Sequence, residues 1–406
     1  MSTLTPSNTP ISVLHIGKYF PPHVGGMETY LRDLMVASTA LGVTSAALVH
    51  QSKLGLHSSE EQLSVNGAEI RITRAATWLR LLFTPISPTF PWLLHRLIRR
   101  VQPEILHLHL PNPSAFWALF LPSALRLPWV IHWQSDVLTP KSSALLKIAY
   151  QFYRPFESAL IKRAKKIIVT SHPYLKTSKP LASVRGQCEV IPLGIADRFS
   201  DALPAVIPEQ QLTEQSGTSK TCEPLKVLAI GRLTHYKGFD VLLRAIAQTA
   251  DITLDLVGSG DQEAALKDLT QSLGIAERVC FHGSLDDAAK NDLLLACDCF
   301  CLPSTDRTES FGVVLLEAMS AAKACVVSDV AGSGMSWVVN HRDTGLVTRC
   351  GDAATLASAL CELRDDRHLA VRLGKHSRRE FQTRFTIEVS ARAVHSAYRQ
   401  ISPLRP

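Results

Sequence analysis

The chain has 406 residues, of which 46% are hydrophobic and 19% charged, and its formal net charge is +7. This length is too great for one typical core and predicts two globular domains. The most apolar window, residues 115–133, is interrupted by Pro122, Arg126 and Pro128, so we interpret it as a helix and a strand, not a membrane span. No nucleic-acid-binding module accompanies the positive charge, and we expect no nucleic acid partner.

The first predicted strand covers residues 11–16, and no basic segment followed by an apolar one precedes it, so no secretion signal is expected. Gly25 and Gly26 follow in the loop before a helical pattern at 27–41. Alone, the pair predicts only a turn. Its glycines permit positive φ and close ligand approach, and the next helix offers free N–H groups. Gly25 and Gly26 are therefore candidates for one wall of a diphosphate or acceptor site.

Basic residues concentrate in the first half of the chain. One helical segment interleaves cations with apolar residues: Trp92, Leu93, Arg96, Leu97, Arg99 and Arg100. Such a surface can dock on anionic lipid. A solvated helix face is the simpler alternative, and it stays open.

His132 ends an apolar strand predicted at residues 129–132, and catalytic groups of open α/β sheets collect at strand ends. Read alone, it is a structural histidine.

A polar stretch at 201–224 divides the chain. Strands are predicted before it near 11–16, 45–50, 70–73, 105–108, 129–132, 166–170 and 188–191, and after it near 226–230, 253–257, 279–282, 299–302, 324–328 and 345–347. Helical patterns alternate with these strands, which predicts two parallel, doubly wound sheets.

The strand at 226–230 leads into a loop that carries Arg232 and Lys237. Two cations at the carboxyl end of a strand suit a diphosphate, with arginine as a fork and lysine as a point charge. Solvated loop cations are the alternative. A later glycine run at 258–260 lacks the third glycine of a dinucleotide fingerprint, because Glu263 stands there. We interpret that run as a structural turn, which disfavours a dehydrogenase.

Three of the nine cysteines, Cys297, Cys299 and Cys301, alternate along a predicted strand, which would place them on one face. We interpret them as reduced core residues. A zinc site is the alternative, and this spacing disfavours it. Reduced thiols predict a cytosolic compartment.

Glu309 and Glu317 flank the start of a predicted apolar helix. Eight residues of helix rise about 12 Å, so one ligand could contact both carboxylates. The N–H groups of Phe311, Gly312 and Val313 would be first-turn donors for a diphosphate between them. A helix-capping Glu309 and a solvated Glu317 are the alternative. Glu317, however, lies in an apolar stretch where an ionised side chain needs a partner.

Several segments, in this order, resemble retaining glycosyltransferases of family 4: residues 25–28, 132–136, 190–195, 231–232 with 237–238, and 309–317. The resemblance implies the GT-B architecture, α/β with two Rossmann-like domains facing a cleft. We expect an acceptor-side domain at 1–200, a polar loop at 201–224 and a nucleotide-sugar-binding domain at 225–385. A final helix within 386–406 is expected to cross back onto the first domain.

The resemblance also implies roles for individual residues. Arg232 and Lys237 would bind the donor diphosphate, Glu317 the ribose, and Glu309 with Ser310 and the amides of Phe311, Gly312 and Val313 the transferred sugar. His132 would lie beside that sugar and completes the catalytic set of His132, Glu309, Arg232 and Lys237. Within 108–113 and 132–136, runs that resemble bacterial mannosyltransferases of surface polysaccharide assembly, the acceptor-side candidates are His109, Asn112 and Asp136.

We expect neither a metal nor another cofactor, because no Asp-x-Asp triplet occurs in the chain and fixed cations can stabilise the diphosphate. The nucleotide-diphosphate sugar is a co-substrate. Glu309 is not assigned as a nucleophile, since two-step chemistry requires a second carboxylate at a defined distance.

The leading hypothesis is a retaining hexosyltransferase of polysaccharide or lipopolysaccharide assembly. It would transfer mannose, or a glucose-type sugar, to a glycan or lipid-linked acceptor. We expect it in the cytoplasm or on the inner face of the cytoplasmic membrane. The alternatives are a nucleotide-sugar epimerase of similar architecture and a catalytically silent glycan-binding assembly protein.

Overall fold

The computed structural model describes residues 10–23, 25–65, 67–81, 84–137, 143–203 and 223–402. The chain forms two compact units, the first from Met1–Gly194 with Ile387–Pro406 and the second from Ile195–Thr386. Most of the predicted polar loop, residues 204–222, lies outside the described residues.

The first unit is built on an eight-stranded sheet with the order β10-β9-β8-β7-β1-β2-β4-β3, parallel except for β3. A small antiparallel pair, β5 and β6, stands apart from it. The strands are β1 (Ile11–Ile16), β2 (Val43–Leu54), β3 (Ser59–Val65), β4 (Ala68–Thr77), β5 (Leu79–Leu81), β6 (Thr84–Ile86), β7 (Ile105–Leu110), β8 (Trp129–Trp133), β9 (Lys166–Val169) and β10 (Cys188–Val190). The edge strand β3 was not predicted, because its sequence is polar and mostly exposed.

Helices cover the sheet of the first unit. They are α1 (Gly26–Thr39), α2 (Phe90–Val101), α3 (Pro122–Leu125), α4 (Ala144–Arg163) and α5 (His172–Thr177), with 3-10 turns at Pro113–Phe120 and Arg185–Gln187. On one sheet face, Leu14, Leu108 and Ile131 form a buried core with Phe90 and Leu94 of α2. On the other face, Leu31 and Met35 of α1 pack against Ala47 and Val49 of β2. Burying these apolar side chains on both faces is what the near-continuous hydrophobic strands require.

The second unit has a six-stranded, wholly parallel sheet with the order β13-β12-β11-β14-β15-β16. Its strands are β11 (Leu225–Ile230), β12 (Ile252–Val257), β13 (Val279–Gly283), β14 (Cys299–Leu302), β15 (Ala324–Ser328) and β16 (Gly345–Thr348). Its helices are α6 (Phe239–Ala247), α7 (Glu263–Ser272), α8 (Asp287–Ala296), α9 (Val313–Ser320), α10 (Met335–Val338), α11 (Ala353–Asp365) and α12 (Arg367–Glu380), with 3-10 turns at His235–Lys237 and Ala276–Arg278 and a π-helical turn at Phe381–Phe385. The prediction of two doubly wound, Rossmann-like sheets is confirmed.

Capping side chains set several helix starts. The carboxylates of Asp286, Asp352 and Asp366 accept backbone N–H groups at the beginnings of α8, α11 and α12. Each such cap contributes about 1 kcal/mol to stability. Among the helices in the described ranges, none is both long enough and apolar enough to cross a membrane.

The last helix, α13 (Ile387–Ile401), belongs to the first unit and packs on α1. The hydroxyl groups of Tyr30 and Ser390 lie 3.0 Å apart, and Ser390 also donates to the Pro192 carbonyl at 2.9 Å. Tyr398 of the same helix reaches the sheet, where its hydroxyl lies 2.5 Å from Nδ1 of His107. The first unit is therefore assembled from both ends of the chain.

Candidate active site

In each unit the strand order reverses once, between β1 and β7 in the first sheet and between β11 and β14 in the second. Loops after two such strands leave on opposite faces, and this opens a crevice at the carboxyl edge of the sheet where open α/β folds bind ligands. The segments at 17–23, 231–238 and 303–312 follow β1, β11 and β14, and Gly25 directly precedes α1. They carry, or lead directly into, most of the predicted site residues.

Lys237 and Glu309 meet at the crevice of the second unit. Nζ of Lys237 lies 2.5 Å from Oε2 of Glu309, and the two side chains are only 10% and 13% exposed. Burial alone would lower the pKa of Lys237, but Glu309 and Tyr236 outweigh it, and the pKa lies above the ordinary value. Lys237 therefore stays charged beside Glu309. The Glu309 carboxylate still has oxygen lone pairs that can accept hydrogen bonds from a ligand.

Glu309 does not cap the helix, so that alternative is wrong. The residue at the N-cap of α9 is Gly312, whose side-chain-free backbone makes the turn. Glu309 instead lies in the preceding loop, where the Ser333 hydroxyl donates to its carbonyl at 2.5 Å and Gly334 N–H donates to the Ser310 carbonyl at 2.7 Å. These bonds fix the loop that presents the carboxylate.

Glu317 has a partner that sequence reasoning missed. Nζ of Lys290, on α8, lies 3.0 Å from Oε2 of Glu317, and the two side chains form an ion pair. Lys290 also lies 3.2 Å from Asp287. The solvated alternative for Glu317 is wrong, because its side chain is only 21% exposed. No local pattern marks Lys290, since its pairing with α9 arises from the tertiary fold.

The start of α9 has the geometry of an anion site. Gly312 has φ +80°, and a β-carbon there would come within 2.9 Å of Leu315 Cδ1, so the position requires glycine. In the described ranges, no loop or cap hydrogen bond uses the backbone N–H of Phe311, Gly312 or Val313. These donors stand at the positive end of the helix dipole.

Arg232 is exposed and follows Gly231 at the end of β11. Its positive charge opposes protonation of Lys237, which places both cations in one electrostatic environment. The neighbouring loop holds this turn closely: a β-carbon at Gly258 would lie 1.9 Å from the Gly231 carbonyl oxygen. The glycine run at 258–260 therefore forms the structural turn that we predicted from the absence of a third glycine.

The glycine pair of the first unit differs from expectation. Gly26 is the first residue of α1, and Gly25 is its N-cap with φ 173°, which is extended backbone, so neither glycine uses the positive φ that glycine permits. The buried side chain of Glu28 folds back over the helix start, and a β-carbon at Gly25 would meet its Oε2 at 2.1 Å. Glu28 therefore leaves no room for a side chain at position 25, and the position requires glycine.

A small cavity opens beside this helix start. It is lined by Gly17, Lys18, Tyr19, Met27, Glu28, Leu31, His109, Pro111 and Gln134. Among the acceptor-side candidates only His109 lines it. Asn112 is buried and caps a 3-10 turn by accepting from Ser114 N–H at 3.2 Å. Asp136 accepts from Trp133 Nε1 at 2.9 Å and from the Ser178 hydroxyl at 2.7 Å.

His132 lies on β8 and is fully buried, with its ring 5.1 Å from that of Tyr30. Burial lowers its pKa to about 3, so the imidazole is neutral near pH 7. Its ring is also 5.5 Å from that of His109, which lies opposite it on β7. The structure brings these two predicted residues together. Their roles toward a ligand remain predictions.

The three cysteines are buried free thiols. Cys299 and Cys301 lie on β14, but Cys297 caps the end of α8 and lies outside the strand, which corrects the predicted alternation. In the described part of the chain, the groups that could hold a metal are His15–His107–His109 and Asp255–Cys280–His282. Neither group contains these three cysteines, so the structure gives no support to the zinc alternative there.

Two family profiles cover most of the chain. "Glycosyl transferase 4-like domain" matches residues 25–194, and "Glycosyl transferases group 1" matches residues 212–380. The chain is 28% identical over 375 residues to D-rhamnosyltransferase WbpZ of Pseudomonas aeruginosa, covering 92% of each protein. It is 25% identical over 379 residues to O-antigen chain mannosyltransferase C of Escherichia coli, covering 93% of this chain and 95% of the relative.

Solved structures share the fold. Sucrose-phosphate synthase from Thermosynechococcus elongatus superposes with a TM-score of 0.74 at 24% identity, over 96% of this chain and 98% of that one. This likeness confirms the expected GT-B architecture.

Proposed function

The chain belongs to the group 1 glycosyl transferases, and on that premise we propose that it is a retaining hexosyltransferase with a nucleotide-diphosphate sugar as donor. The buried Lys237–Glu309 pair beside the helix start at Gly312 carries this proposal. It joins a cation suited to a diphosphate with a carboxylate suited to sugar hydroxyl groups.

In the proposed reaction, these positive groups stabilise the negative charge that develops on the leaving diphosphate. As the bond from the anomeric carbon to the diphosphate oxygen breaks, negative charge grows on the leaving group. Lys237, Arg232 and the first-turn amides of α9 would stabilise that charge without a metal ion. The acceptor hydroxyl forms the new bond to the anomeric carbon on the same face, and its proton goes to the departing diphosphate. Glu309 and Ser310 would hold the sugar, and Glu317 would bind the ribose.

The first unit would contribute neutral groups. Because the pKa of His132 is about 3, we propose that His132 positions the transferred sugar and does not act as a charged acid. His109, which lines the cavity with Gln134 and Glu28, is the best-placed acceptor-side residue. Asn112 and Asp136 already form hydrogen bonds within the first unit. To contact the acceptor substrate directly, either side chain would have to bind it in addition to these partners.

Two curated relatives are named for transfer of mannose and of D-rhamnose, which is 6-deoxymannose. We therefore propose mannose or a related sugar as the transferred group, with a glucose-type sugar as the second choice. The proposed acceptor is a glycan or a lipid-linked oligosaccharide of surface polysaccharide or lipopolysaccharide assembly. The proposed location is the cytoplasm, at the inner face of the cytoplasmic membrane.

A lipid-linked acceptor would require contact with a bilayer, and the structure changes which residues could provide it. Leu93 and Leu97 of α2 are buried in the core, so the docking patch predicted around them is wrong in part. Trp92 remains 59% exposed, with the guanidinium of Arg96 lying 5.4 Å from its ring centre.

An apolar stripe on α4 extends this surface. Leu145, Ile148, Phe152 and Phe156 recur at helical spacing on one side of the helix, and Phe152 is 75% exposed. Phe156 stacks on Phe116 of the 3-10 turn at Pro113–Phe120, and that turn packs on α2. Exposed apolar residues that lie together in this way are typical of interaction sites.

The charge around the stripe favours an anionic bilayer as its partner. The segments Phe90–Val101, 113–125 and Ala144–Arg163 contain seven cations, Arg96, Arg99, Arg100, Lys147, Arg154, Lys162 and Arg163. They contain one acidic residue, Glu157, and it is buried. We propose that this surface, which we call the α2–α4 face, holds the enzyme at the membrane.

The function is tested by incubating the purified protein with a panel of nucleotide sugars, with and without lipid-linked glycan extracts, and identifying the products by mass spectrometry and NMR. We expect slow donor hydrolysis with one sugar class, and transfer with retained anomeric configuration when the acceptor is present. Release of an epimerised free nucleotide sugar would support an epimerase. Tight donor binding without turnover would support a silent assembly protein.

A further inference from the structure

Four buried histidines lie side by side on one face of the first sheet, beneath α1 and α13. His15 on β1 stands opposite His107 on β7, and His109 on β7 stands opposite His132 on β8. Because His107 and His109 are two residues apart on one strand, all four side chains project to the same face. Each is no more than 6% exposed. The proposed sugar transfer uses only two of them.

These rings leave ring nitrogens without a partner. Nδ1 of His15 lies 3.1 Å from Nε2 of His109, and this contact satisfies one nitrogen of each ring. Among the described residues, no hydrogen-bond partner faces Nε2 of His107, Nδ1 of His109 or either nitrogen of His132. A buried polar atom left in this state costs about 1–3 kcal/mol. A ligand bound between the rings of His15, His107 and His109 would pair Nε2 of His107, and it would replace the contact between His15 and His109.

Three of the rings converge. One ring nitrogen from each of His15, His107 and His109 lies within 4.8 Å of the other two. A neutral imidazole keeps the lone pair that a metal ion needs.

Tyr398 supplies a contact of the kind that orients metal ligands. Its hydroxyl lies 2.5 Å from Nδ1 of His107. If Nδ1–H donates to that oxygen, the lone pair of His107 is placed on Nε2, the nitrogen that has no partner. Metal-bound histidines commonly donate their second N–H in this way.

We propose that His15, His107 and His109 form a binding site for a divalent transition metal ion, with zinc as the favoured ion. Imidazole nitrogens suit zinc, whereas magnesium and calcium require oxygen ligands. With bonds of about 2.0–2.1 Å, tetrahedral zinc places two nitrogens roughly 3.3 Å apart, close to the His15–His109 separation. The ring nitrogen of His107 lies within 4.8 Å of the other two and would have to move closer to bind the same ion.

This site is distinct from the diphosphate chemistry of the second unit. The ion would tie β1 to β7 and fix the ring of His109 at the cavity beside α1. Its existence does not depend on the proposed transfer reaction, and the two proposals fail independently.

Metal content of the whole chain tests the proposal. Protein purified from zinc-supplemented medium should contain about one zinc ion per chain by mass spectrometry of the digested sample. Apoprotein dialysed against cobalt should gain the visible absorption of tetrahedral or five-coordinate cobalt bound to nitrogen. Protein with no zinc and no such cobalt spectrum would overturn the site.

Variants locate the ion. His15→Gln should weaken cobalt binding by about tenfold or more and abolish the rise in Tm caused by zinc. His50→Gln is the matched control, since His50 is a buried histidine of the same unit whose Nε2 contacts Ser114 at 2.8 Å. His282→Gln disrupts the other candidate metal group, Asp255–Cys280–His282, which lies in the second unit. Loss of metal in His282→Gln with retention in His15→Gln would refute the proposal, and His282→Gln decides the matter even where His15→Gln does not fold.

Discussion

The two units bury different polar side chains near their crevices. The second unit keeps ionised side chains and pairs them, Lys237 with Glu309 and Lys290 with Glu317. The first unit buries imidazoles that are neutral, as in His132. A diphosphate that gains charge during the reaction needs the first kind of site, and a sugar hydroxyl needs only the second.

The contrast also teaches which chemistry is visible in a sequence. Glu309 and Glu317 sit within one short segment, so their spacing alone indicates a shared ligand. The histidines of the first unit come from three strands, and only the sheet register brings them together. Variants can test this division between a site of paired charges and a cluster of buried imidazoles.

The largest effect is expected from removing the cations of the second unit. Lys237→Ala and Arg232→Ala should each lower kcat by about 10²–10³, because one lost stabilising donor raises the barrier by ~3–4 kcal/mol. Lys237→Ala should be the more severe, since it also leaves Glu309 buried without its partner. Steady-state kinetics with the true donor measure this. The exposed Lys267, paired with Glu263, gives the control Lys267→Ala, and near-normal activity in both test variants would contradict the diphosphate assignment.

The glutamates should separate into two kinetic classes. Glu309→Ala should mainly reduce kcat, because its contacts are to the sugar that changes, whereas Glu317→Ala should mainly raise KM through lost ribose binding. Measuring both constants over a range of donor concentrations distinguishes them. The reverse assignment of kcat and KM effects would exchange the two roles.

Membrane binding should respond to both parts of the α2–α4 face. The triple change Leu145→Gln, Ile148→Gln and Phe152→Gln should cut sedimentation with anionic liposomes by about tenfold or more, since a fully buried apolar side chain contributes ~1.5–3 kcal/mol. The triple change Arg96→Glu, Arg99→Glu and Arg100→Glu should weaken binding to anionic liposomes mainly at low salt, by roughly 1 kcal/mol per cation.

Leu295→Gln with Val371→Gln, exposed apolar residues of the second unit, is the control for this test. Equal binding to neutral liposomes, or wild-type binding by both test variants, would remove the membrane proposal and favour a soluble glycan acceptor.

A smaller, pH-dependent effect is expected at Glu157 of α4. Burial raises its pKa from 4.5 to about 7 despite the Tyr150 hydroxyl, which donates to it at 2.5 Å. A carboxyl group with a raised folded-state pKa costs stability as pH rises from the unfolded value through 7. Glu157→Gln should therefore raise the free energy of unfolding by about 1–3 kcal/mol at pH 8 and change it little at pH 4.5. Denaturant titrations at both values measure this, and a gain of equal size at pH 4.5 would contradict ionisation of the buried carboxyl group as its cause.

The smallest effect is expected from chelation. Brief EDTA treatment should leave turnover unchanged, and added magnesium or manganese should not raise it, because Lys237 and Arg232 are proposed to stabilise the diphosphate in place of a metal ion. Loss of activity restored by magnesium would overturn this expectation. A buried ion at His15 would not exchange in so short a treatment, so that site is tested separately.

Much of the fold could be predicted because buried parallel strands are continuous apolar runs. Ile11–Ile16 and Cys299–Leu302 were predicted with their observed bounds. The polar edge strand Ser59–Val65 carries no such run and was missed. Residues 115–120, predicted as part of a helix, lie in the 3-10 turn Pro113–Phe120.

The candidate site shows the same limit. Glu309, Lys237 and Gly312 could be found because each lies in a loop at the end of a recognisable strand. Lys290 could not be found, because it lies within α8 and not in a loop after a strand. It contacts Glu317 only because α8 and α9 lie close together in the fold. The fold of Glu28 over Gly25 could not be predicted either, since a side-chain rotamer decides it.

The return of α13 to the first unit has a consequence for biosynthesis. The ribosome releases the whole second unit before it releases Ile387–Ile401. Until then Tyr30 and His107 lack Ser390 and Tyr398, and the helix that covers them is still inside the exit tunnel. The first unit is thus completed only after the second unit has been translated. Truncation before residue 387 would leave the sheet of the first unit without α13.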